Sequence, residues 1–102
     1  KIASPWANAI GSALPEDTVT TRAFSGRLGR SIRTAYTKAA EKGPKPAPYP
    51  IQRNLTKAMR DNAINIDTMQ AWAGQSAGLA RAEPATELVS DLWKTAKKLI
   101  HY

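Results

Sequence analysis

The chain has 102 residues, of which 42% are hydrophobic and 23% charged, so it suits one small folded segment rather than a disordered chain. It contains no cysteine, which excludes a disulfide scaffold, a thiolate metal site and a cysteine nucleophile. The net charge of +7 is concentrated between Arg22 and Arg60, where ten Lys or Arg residues accompany one acid, Glu41. Such a basic segment suits an anionic ligand, and nucleic acid is one option.

Targeting signals are not visible in the sequence. No apolar run approaches the ~18 residues that a membrane span needs. Polar residues interrupt the first apolar stretch, which argues against a signal peptide. We therefore expect a cytoplasmic protein with no membrane partner. Because the chain opens at Lys1 rather than at methionine, a trimmed, cleaved or truncated product is also expected.

The first part of the chain predicts a short helix, an extended stretch and a longer helix. After Ser4-Pro5, apolar residues recur at helical spacing until Pro15 interrupts the pattern. Residues 18–24 are rich in β-branched side chains and predict a strand or an extended connector. Residues 25–43 predict the longer helix, because Leu28 begins an apolar stripe and glycine follows the last periodic residues.

The second part predicts a proline-rich connector followed by three helices. Residues 43–50 read GPKPAPYP, and four prolines in eight residues favour an extended, polyproline-like conformation. Residues 51–64 and a segment from Asp67 or Thr68 to Ala80 keep helical spacing. After Pro84, the stripe from Leu88 to Ile100 predicts the most strongly amphipathic helix, whose apolar face is more typical of core than of an interface. We therefore predict a mostly α-helical segment with no sheet.

The sequence offers few groups for catalysis. The single histidine, His101, lies one residue from the end and is interpreted as an exposed tail residue. Glu83, Glu87 and Asp91 share one helical face, but without a histidine they indicate a solvated acidic surface. We therefore expect no metal site and no catalytic residue within this chain.

Two groups of residues are candidates for binding an anion. Residues 26–30, GRLGR, place two glycines and two arginines at an expected helix start, where they form either an anion site or a structural cap. Arg53, Lys57 and Arg60 fall on one helical face, near Tyr49 at the end of the connector. A tyrosine hydroxyl and an ammonium could converge there on an anionic ligand; the alternative is a packed tyrosine and a surface lysine.

Three stretches, taken together and in order, carry a resemblance to a known family. They are Arg22-Ala23-Phe24-Ser25-Gly26-Arg27 followed by Arg30, Tyr49-Pro50 through Leu55-Thr56-Lys57, and Trp72-Ala73-Gly74-Gln75 leading to Leu79-Ala80-Arg81 and Pro84-Ala85. This series resembles the C-terminal part of nitronate monooxygenases, formerly called 2-nitropropane dioxygenases. The similarity runs over roughly residues 6–93.

The resemblance implies a fold and a reaction for the complete enzyme. The family has an FMN-binding TIM-like (β/α)8 barrel with an added, largely helical part that covers the substrate. It oxidises alkyl nitronates, propionate 3-nitronate among them, with dioxygen to a carbonyl compound and nitrite. The whole chain, residues 1–102, would be that helical part, working with the barrel portion of the same enzyme, for which a separate chain is one option. A closed barrel needs at least ~200 residues, so the chain alone is not expected to be active.

The resemblance also implies roles for particular residues. Tyr49 and Lys57 match a tyrosine and a lysine that bind the nitronate. Trp72, Gly74 and Gln75 are candidates for lining the pocket or for packing the helical part against the barrel. The family's catalytic histidine and the glycines that hold the FMN phosphate lie upstream of this segment. A further family tyrosine has no counterpart near Ile10.

A function of another class remains open from the residues alone. The chain would then be a small basic helical protein that binds nucleic acid or an acidic partner. The basic segment contains few aromatic residues and no known nucleic-acid motif, so nucleic acid is the weaker hypothesis.

Overall fold

A computed structural model describes residues 2–100, and about half of the chain is helical. The helices are α1 (Ser4–Ser12), α2 (Ala35–Lys42), α3 (Ile51–Leu55), α4 (Lys57–Asp61) and α5 (Ala85–Ile100), and the strands are β1 (Thr18–Thr21) and β2 (Gly29–Ile32). Short 3₁₀ turns cover Pro15–Asp17, Ile66–Thr68 and Ala77–Leu79. Within residues 2–100, every helix is too short or too polar to cross a bilayer. His101 lies outside the described residues.

The two strands form an antiparallel hairpin, and a later segment pairs with its free edge. Thr18 lies opposite Ile32, and the register continues to the end of β1. On the other edge of β2, the Ile32 amide donates to the Ala71 carbonyl at 2.9 Å, and the Ala73 amide donates to the Arg30 carbonyl at 3.1 Å. Residues 71–73 therefore complete the hydrogen bonding of β2 without forming a regular strand.

The loop between the strands, residues 22–28, carries the largest buried side chain. Phe24 is fully buried, with its ring 4.9 Å from the Tyr36 ring and edge-on to the Trp72 ring at 5.6 Å. Trp6 of α1 donates its indole N–H to the Trp72 carbonyl at 3.0 Å. The loop is thus drawn into the molecule by one aromatic residue, and α1 is fixed over the neighbouring segment.

Helix α2 begins where the sequence provides a reciprocal cap. The Thr37 amide donates to the Thr34 hydroxyl at 3.3 Å, and the Thr34 amide donates to the Thr37 hydroxyl at 2.8 Å. The Ala35 amide, which also lacks a helical partner, donates to the Asp67 carboxylate at 3.0 Å. These bonds fix the start of α2 beside β2.

Several predictions from the sequence are confirmed and others are wrong. The helix after Ser4-Pro5, the strand within 18–24 and the last helix are all present. The expectation of no sheet is wrong, and the helix predicted over 25–43 covers only Ala35–Lys42. Its first part instead forms β2, because the amides and carbonyls of Gly29–Ile32 find partners in β1 and in residues 71–73.

The two helices predicted over 51–80 also differ from the structure. The first is divided at Thr56 into α3 and α4, and it ends at Asp61 rather than Ile64. The helix from Asp67 or Thr68 to Ala80 is absent; the segment contains two 3₁₀ turns and the extended residues that pair with β2. Helical spacing was misleading here because pairing with the open edge of β2 outweighed a propensity weakened by Gly74 and Gly78.

Gly26 is the one described position where the fold requires glycine by conformation. Its φ is +93°, and a Cβ there would lie 2.7 Å from both the Ala47 carbonyl oxygen and the Pro48 carbonyl carbon, and closer still to the Tyr49 amide nitrogen. We expect Gly26→Ala to lower the free energy of unfolding of the full chain by about 2 kcal/mol or more, from backbone strain and this clash. Urea denaturation followed by circular dichroism measures the change.

Gly11→Ala is the matched control. Gly11 lies in α1 with no neighbouring atom within 4 Å of the added methyl group. Alanine should therefore stabilise the helix by up to ~1 kcal/mol. Equal destabilisation by both substitutions would contradict the assignment of strain to Gly26.

Candidate functional site

The connector delivers Tyr49 to the surface at the start of α3. Residues 44–48 have no regular secondary structure, Tyr49 and Pro50 form a turn, and the peptide bond between them is cis. The Ile51 amide donates to the Pro48 carbonyl at 2.9 Å, which joins the turn to the first residue of α3. The Tyr49 side chain is 45% exposed. A polar aromatic group therefore projects from a segment in which prolines restrict the backbone conformation.

The loop 22–28 lies directly against this turn. The backbone of Gly26 touches the connector so closely that no side chain would fit between them. The Arg27 guanidinium stacks over the Tyr49 ring, with its central carbon 4.3 Å from the ring centroid. This cation–π contact and the backbone contact hold the two segments together. The structure thus brings together the first two of the three stretches that carry the family resemblance.

Side-chain hydrogen-bond donors hold the buried carbonyl groups of loop 22–28. The Ala23 carbonyl accepts from the Tyr36 hydroxyl at 2.6 Å and from the Gln52 amide at 2.8 Å. The Phe24 carbonyl accepts from the Thr56 hydroxyl at 2.7 Å. These bonds satisfy carbonyls that the loop buries without a strand partner. They also explain why the predicted helix divides at Thr56, whose side chain is turned into the loop.

Gln52 links the network to the connector itself. Its side-chain oxygen accepts from the Ala47 amide at 3.0 Å while its nitrogen donates to the Ala23 carbonyl. One residue of α3 therefore sets the distance between the connector and the loop. The sequence analysis did not predict this role for Gln52. The signal that could have indicated it was a glutamine in the first helical turn after a proline-rich segment.

Lys57 lies at the start of α4 and is exposed. Its ammonium makes an ion pair and hydrogen bond with Asp61, one helical turn along. The hydrogen bond from Lys57 lowers the pKa of the Asp61 carboxyl below its usual range. Exposed pairs of this kind contribute little to stability, so the ammonium can be redirected to a ligand at small cost. The hydrogen bonds of the described residues join Lys57 to Asp61 and not to Tyr49.

Arg60, another basic residue of the predicted helical face, makes contacts within the chain. The Arg60 guanidinium donates to the Arg53 carbonyl at 2.8 Å and to the Thr56 hydroxyl at 3.2 Å. Arg60 therefore ties α4 to α3 across the break at Thr56. Its role in the described structure is to hold the two short helices together.

The third stretch separates into a packed residue and two exposed ones. Trp72 is half-buried against Gly29 of β2, where a Cβ on that glycine would lie 2.7 Å from the indole. Gly74 and Gln75 are exposed, and Gln75 lines a surface pocket of about 330 Å³ together with Ala13 and Leu79. Trp72 thus packs this segment onto the chain's own two-stranded sheet. Packing against a barrel or lining of a pocket, the roles that the resemblance implied for Trp72, stay predictions.

Residues 26–30 do not form the anion site suggested by a helix start. No helix begins there; the segment leaves a turn and enters β2. The Gly26 amide donates to the Arg22 carbonyl at 2.8 Å, and the Arg27 amide donates to the Ser25 hydroxyl at 3.2 Å. The backbone amides of Gly26 and Arg27 are therefore not available as donors to the phosphate of FMN.

The sequence model of the nitronate monooxygenase family matches residues 6–95 of the chain. The chain belongs to this family. A probable nitronate monooxygenase of Staphylococcus aureus strain MSSA476 is 35% identical over 99 residues, covering 93% of this chain and 28% of the relative. A second, from strain Newman, is 34% identical with the same coverage.

A solved structure is also similar to this chain. The nitroalkane oxidase from Streptomyces ansochromogenes superposes with a TM-score of 0.75 and 36% identity, over 87% of this chain and 26% of that protein. The chain therefore spans only about a quarter of the length of the relatives that it matches.

Tyr36 supports the site from within the fold, and its titration provides a test. Burial raises the pKa of the Tyr36 hydroxyl above its ordinary value, and the hydrogen bond with Gln52 opposes this in part. The folded chain therefore holds this proton more tightly than the unfolded chain does. The resulting stabilisation is present below the unfolded pKa of about 10 and is lost as pH rises through the raised pKa.

We expect Tyr36→Phe to lower stability at neutral pH by about 1 kcal/mol, the contribution of a typical hydrogen bond. Above pH ~10 the variant should lose less stability than the parent chain, because the titrating group is gone. Urea denaturation across this pH range measures both effects. Tyr49→Phe, which removes an exposed hydroxyl, is the control and should change neutral stability by less than about 0.5 kcal/mol. An unchanged alkaline loss in Tyr36→Phe would contradict the role of Tyr36.

Proposed function

We propose that this chain supplies the substrate-covering part of an FMN-dependent nitronate monooxygenase. The complete enzyme would oxidise an alkyl nitronate such as propionate 3-nitronate with dioxygen to a carbonyl compound and nitrite. The observation that carries the proposal is the exposed Tyr49, fixed by the loop 22–28 inside a segment with ten basic side chains and one acid. The family match favours this enzyme over the nucleic-acid hypothesis.

The chemistry of the substrate suits these side chains. A nitronate is an anion whose negative charge is shared by two oxygen atoms. The Tyr49 hydroxyl can donate a hydrogen bond to one of them, and the Lys57 ammonium supplies charge from the helix that follows the same turn. The surrounding positive segment would raise the local concentration of the anion. These residues would bind and orient the substrate, while the family histidine would belong to the barrel portion.

We assign the FMN to the barrel portion as well. In the loop that the sequence offered for a phosphate, the backbone amides of Gly26 and Arg27 are engaged within the chain. The comparisons support a missing portion, because about three-quarters of each relative's length has no counterpart in this chain. FMN bound there would supply the redox chemistry of the reaction.

Helix α5 provides a surface for the barrel portion. The apolar stripe predicted from the sequence is largely exposed: Val89, Leu92, Trp93, Leu99 and Ile100 are 59–75% accessible. It therefore lies outside the core of the described residues, contrary to the usual position of such a stripe. We propose that the barrel portion covers this face, alongside Trp72, Gly74 and Gln75 as contact or pocket residues.

Lys57→Ala in the complete enzyme should raise KM for the nitronate by roughly tenfold or more, the loss of one charged hydrogen bond. Steady-state oxidation of propionate 3-nitronate at fixed dioxygen measures it. Lys42→Ala removes a charge from the same basic segment at the end of α2 and is the control. An unchanged rate and KM in Lys57→Ala would remove Lys57 from the site.

Asp61→Asn provides the opposite test on the same pair. The substitution removes the carboxylate that engages the Lys57 ammonium, so that ammonium becomes available to the substrate. We expect KM for the nitronate to fall by roughly two- to fivefold, with kcat changed less, because the exposed ion pair no longer competes with the substrate for the Lys57 ammonium. The same substitution in a Lys57→Ala background should have no effect. A decrease that persists in that background would show that Asp61 acts by general repulsion instead.

A further inference from the structure

We infer that Arg27 is a substrate-binding residue that donates hydrogen bonds to the two oxygens of the nitronate. It would thereby favour binding of the nitronate over uncharged nitroalkanes. The inference rests on the proposed function and extends it to Arg27, a member of the first family stretch to which the resemblance assigned no role. It is carried by the stacking of Arg27 on Tyr49 and by the way the loop holds Arg27 in place.

The backbone of Arg27 is fixed on both sides. The hydroxyl of Ser25, a buried residue, accepts from the Arg27 amide at 3.2 Å and donates to the Arg27 carbonyl at 3.4 Å. The preceding residue, Gly26, is locked against the connector beside Tyr49. The side chain therefore starts from a defined position relative to the tyrosine.

The Arg27 side chain is held by Tyr49, and its N–H groups remain available to a ligand. The guanidinium lies over the Tyr49 ring, with its central carbon 4.3 Å from the ring centroid. Such a cation–π contact holds the charge without pairing the guanidinium N–H groups with an oxygen acceptor. Within residues 2–100, those N–H groups make no hydrogen bond or ion pair with the protein, and Arg27 is exposed.

Four of the other five arginines of the basic segment are engaged by the protein, whereas Arg53 is exposed and its guanidinium makes no hydrogen bond or ion pair within residues 2–100. Arg22 donates to the Gly26 carbonyl, Arg30 to the Thr18 hydroxyl, Arg33 to Glu41, and Arg60 to the Arg53 carbonyl. These side chains have structural partners among the described residues. Arg27 instead pairs with the ring of a proposed substrate-binding residue, which points to a ligand as its hydrogen-bond partner.

The geometry of the ligand completes the argument. A nitronate carries two oxygens on one planar nitrogen, an arrangement like that of a carboxylate. The fork of a guanidinium matches two such oxygens with parallel N–H···O bonds, whereas an ammonium is only a point charge. A neutral nitroalkane has the same two oxygens but no net negative charge, so it gains less from the same contact. Arg27 would therefore raise the preference for the anion.

The test compares Arg27→Met, Arg27→Lys and Lys45→Met in the complete enzyme. Methionine keeps an unbranched stem on the Tyr49 ring and removes the charge, and lysine keeps the charge without the fork. Lys45→Met removes one exposed charge from the connector and controls for long-range attraction. Circular dichroism and urea denaturation establish that each variant is folded.

We expect Arg27→Met to raise KM for the nitronate by roughly 10- to 100-fold with kcat changed less than about twofold, as for a lost hydrogen bond to a charged group. KM for the corresponding neutral nitroalkane should change by less than about threefold, because little charge is involved. Arg27→Lys should recover only part of the loss. If Lys45→Met raises KM as much as Arg27→Met does, the charge acts only by attraction at a distance and the inference is overturned.

A binding measurement separates this inference from the proposed function. Calorimetric titration with 2-methylpropanoate, an unreactive anion with two equivalent oxygens, reports on the site without turnover. If the enzyme oxidises no nitronate but Arg27→Met still weakens this binding at least tenfold, the anion site stands and the proposed reaction fails. If the enzyme oxidises nitronate and Arg27→Met leaves both KM and this binding unchanged, the proposed reaction stands and Arg27 is excluded.

Discussion

The carbonyl groups of Ala23 and Phe24 impose the constraint on which the rest of this structure depends. They are buried with Phe24 in a loop that has no neighbouring strand to satisfy them. Three side chains supply the donors, from Tyr36, Gln52 and Thr56. An unsatisfied buried carbonyl would cost about 1–3 kcal/mol, so these contacts tie three helical segments to one loop. The break between α3 and α4 follows from the same requirement.

This arrangement gives the candidate site a rigid base with exposed functional groups. The loop and the connector are locked through Gly26, and Arg27 and Tyr49 project from them with their faces stacked. Binding residues on loops act well when a packed scaffold holds the loops in place. Lys57 differs, because its partner Asp61 is exposed and easily exchanged. The proposed site would thus combine two positioned groups with one adjustable charge.

The described core is small for a chain of this length. Its buried apolar residues are Ala13, Ala23, Phe24, Ile32 and Ala71, and three of these are alanines. Meanwhile the apolar face of α5 is largely accessible. Membership of the nitronate monooxygenase family and a span of about a quarter of its relatives give both features one explanation. Apolar surface that this segment cannot bury by itself is available to the barrel portion that we propose.

The sequence by itself determined the elements whose signals are local, and it determined the family through three short motifs. Proline placement and helical spacing were enough for α1 and α5, because caps and amphipathic stripes act within one segment. Only the tertiary structure decided that residues 29–32 and 71–73 are extended, since their hydrogen bonds join segments 40 residues apart. The stacking of Arg27 on Tyr49 was likewise beyond the sequence. Spacing along a chain reports on neighbours within an element, whereas such contacts arise from packing between elements.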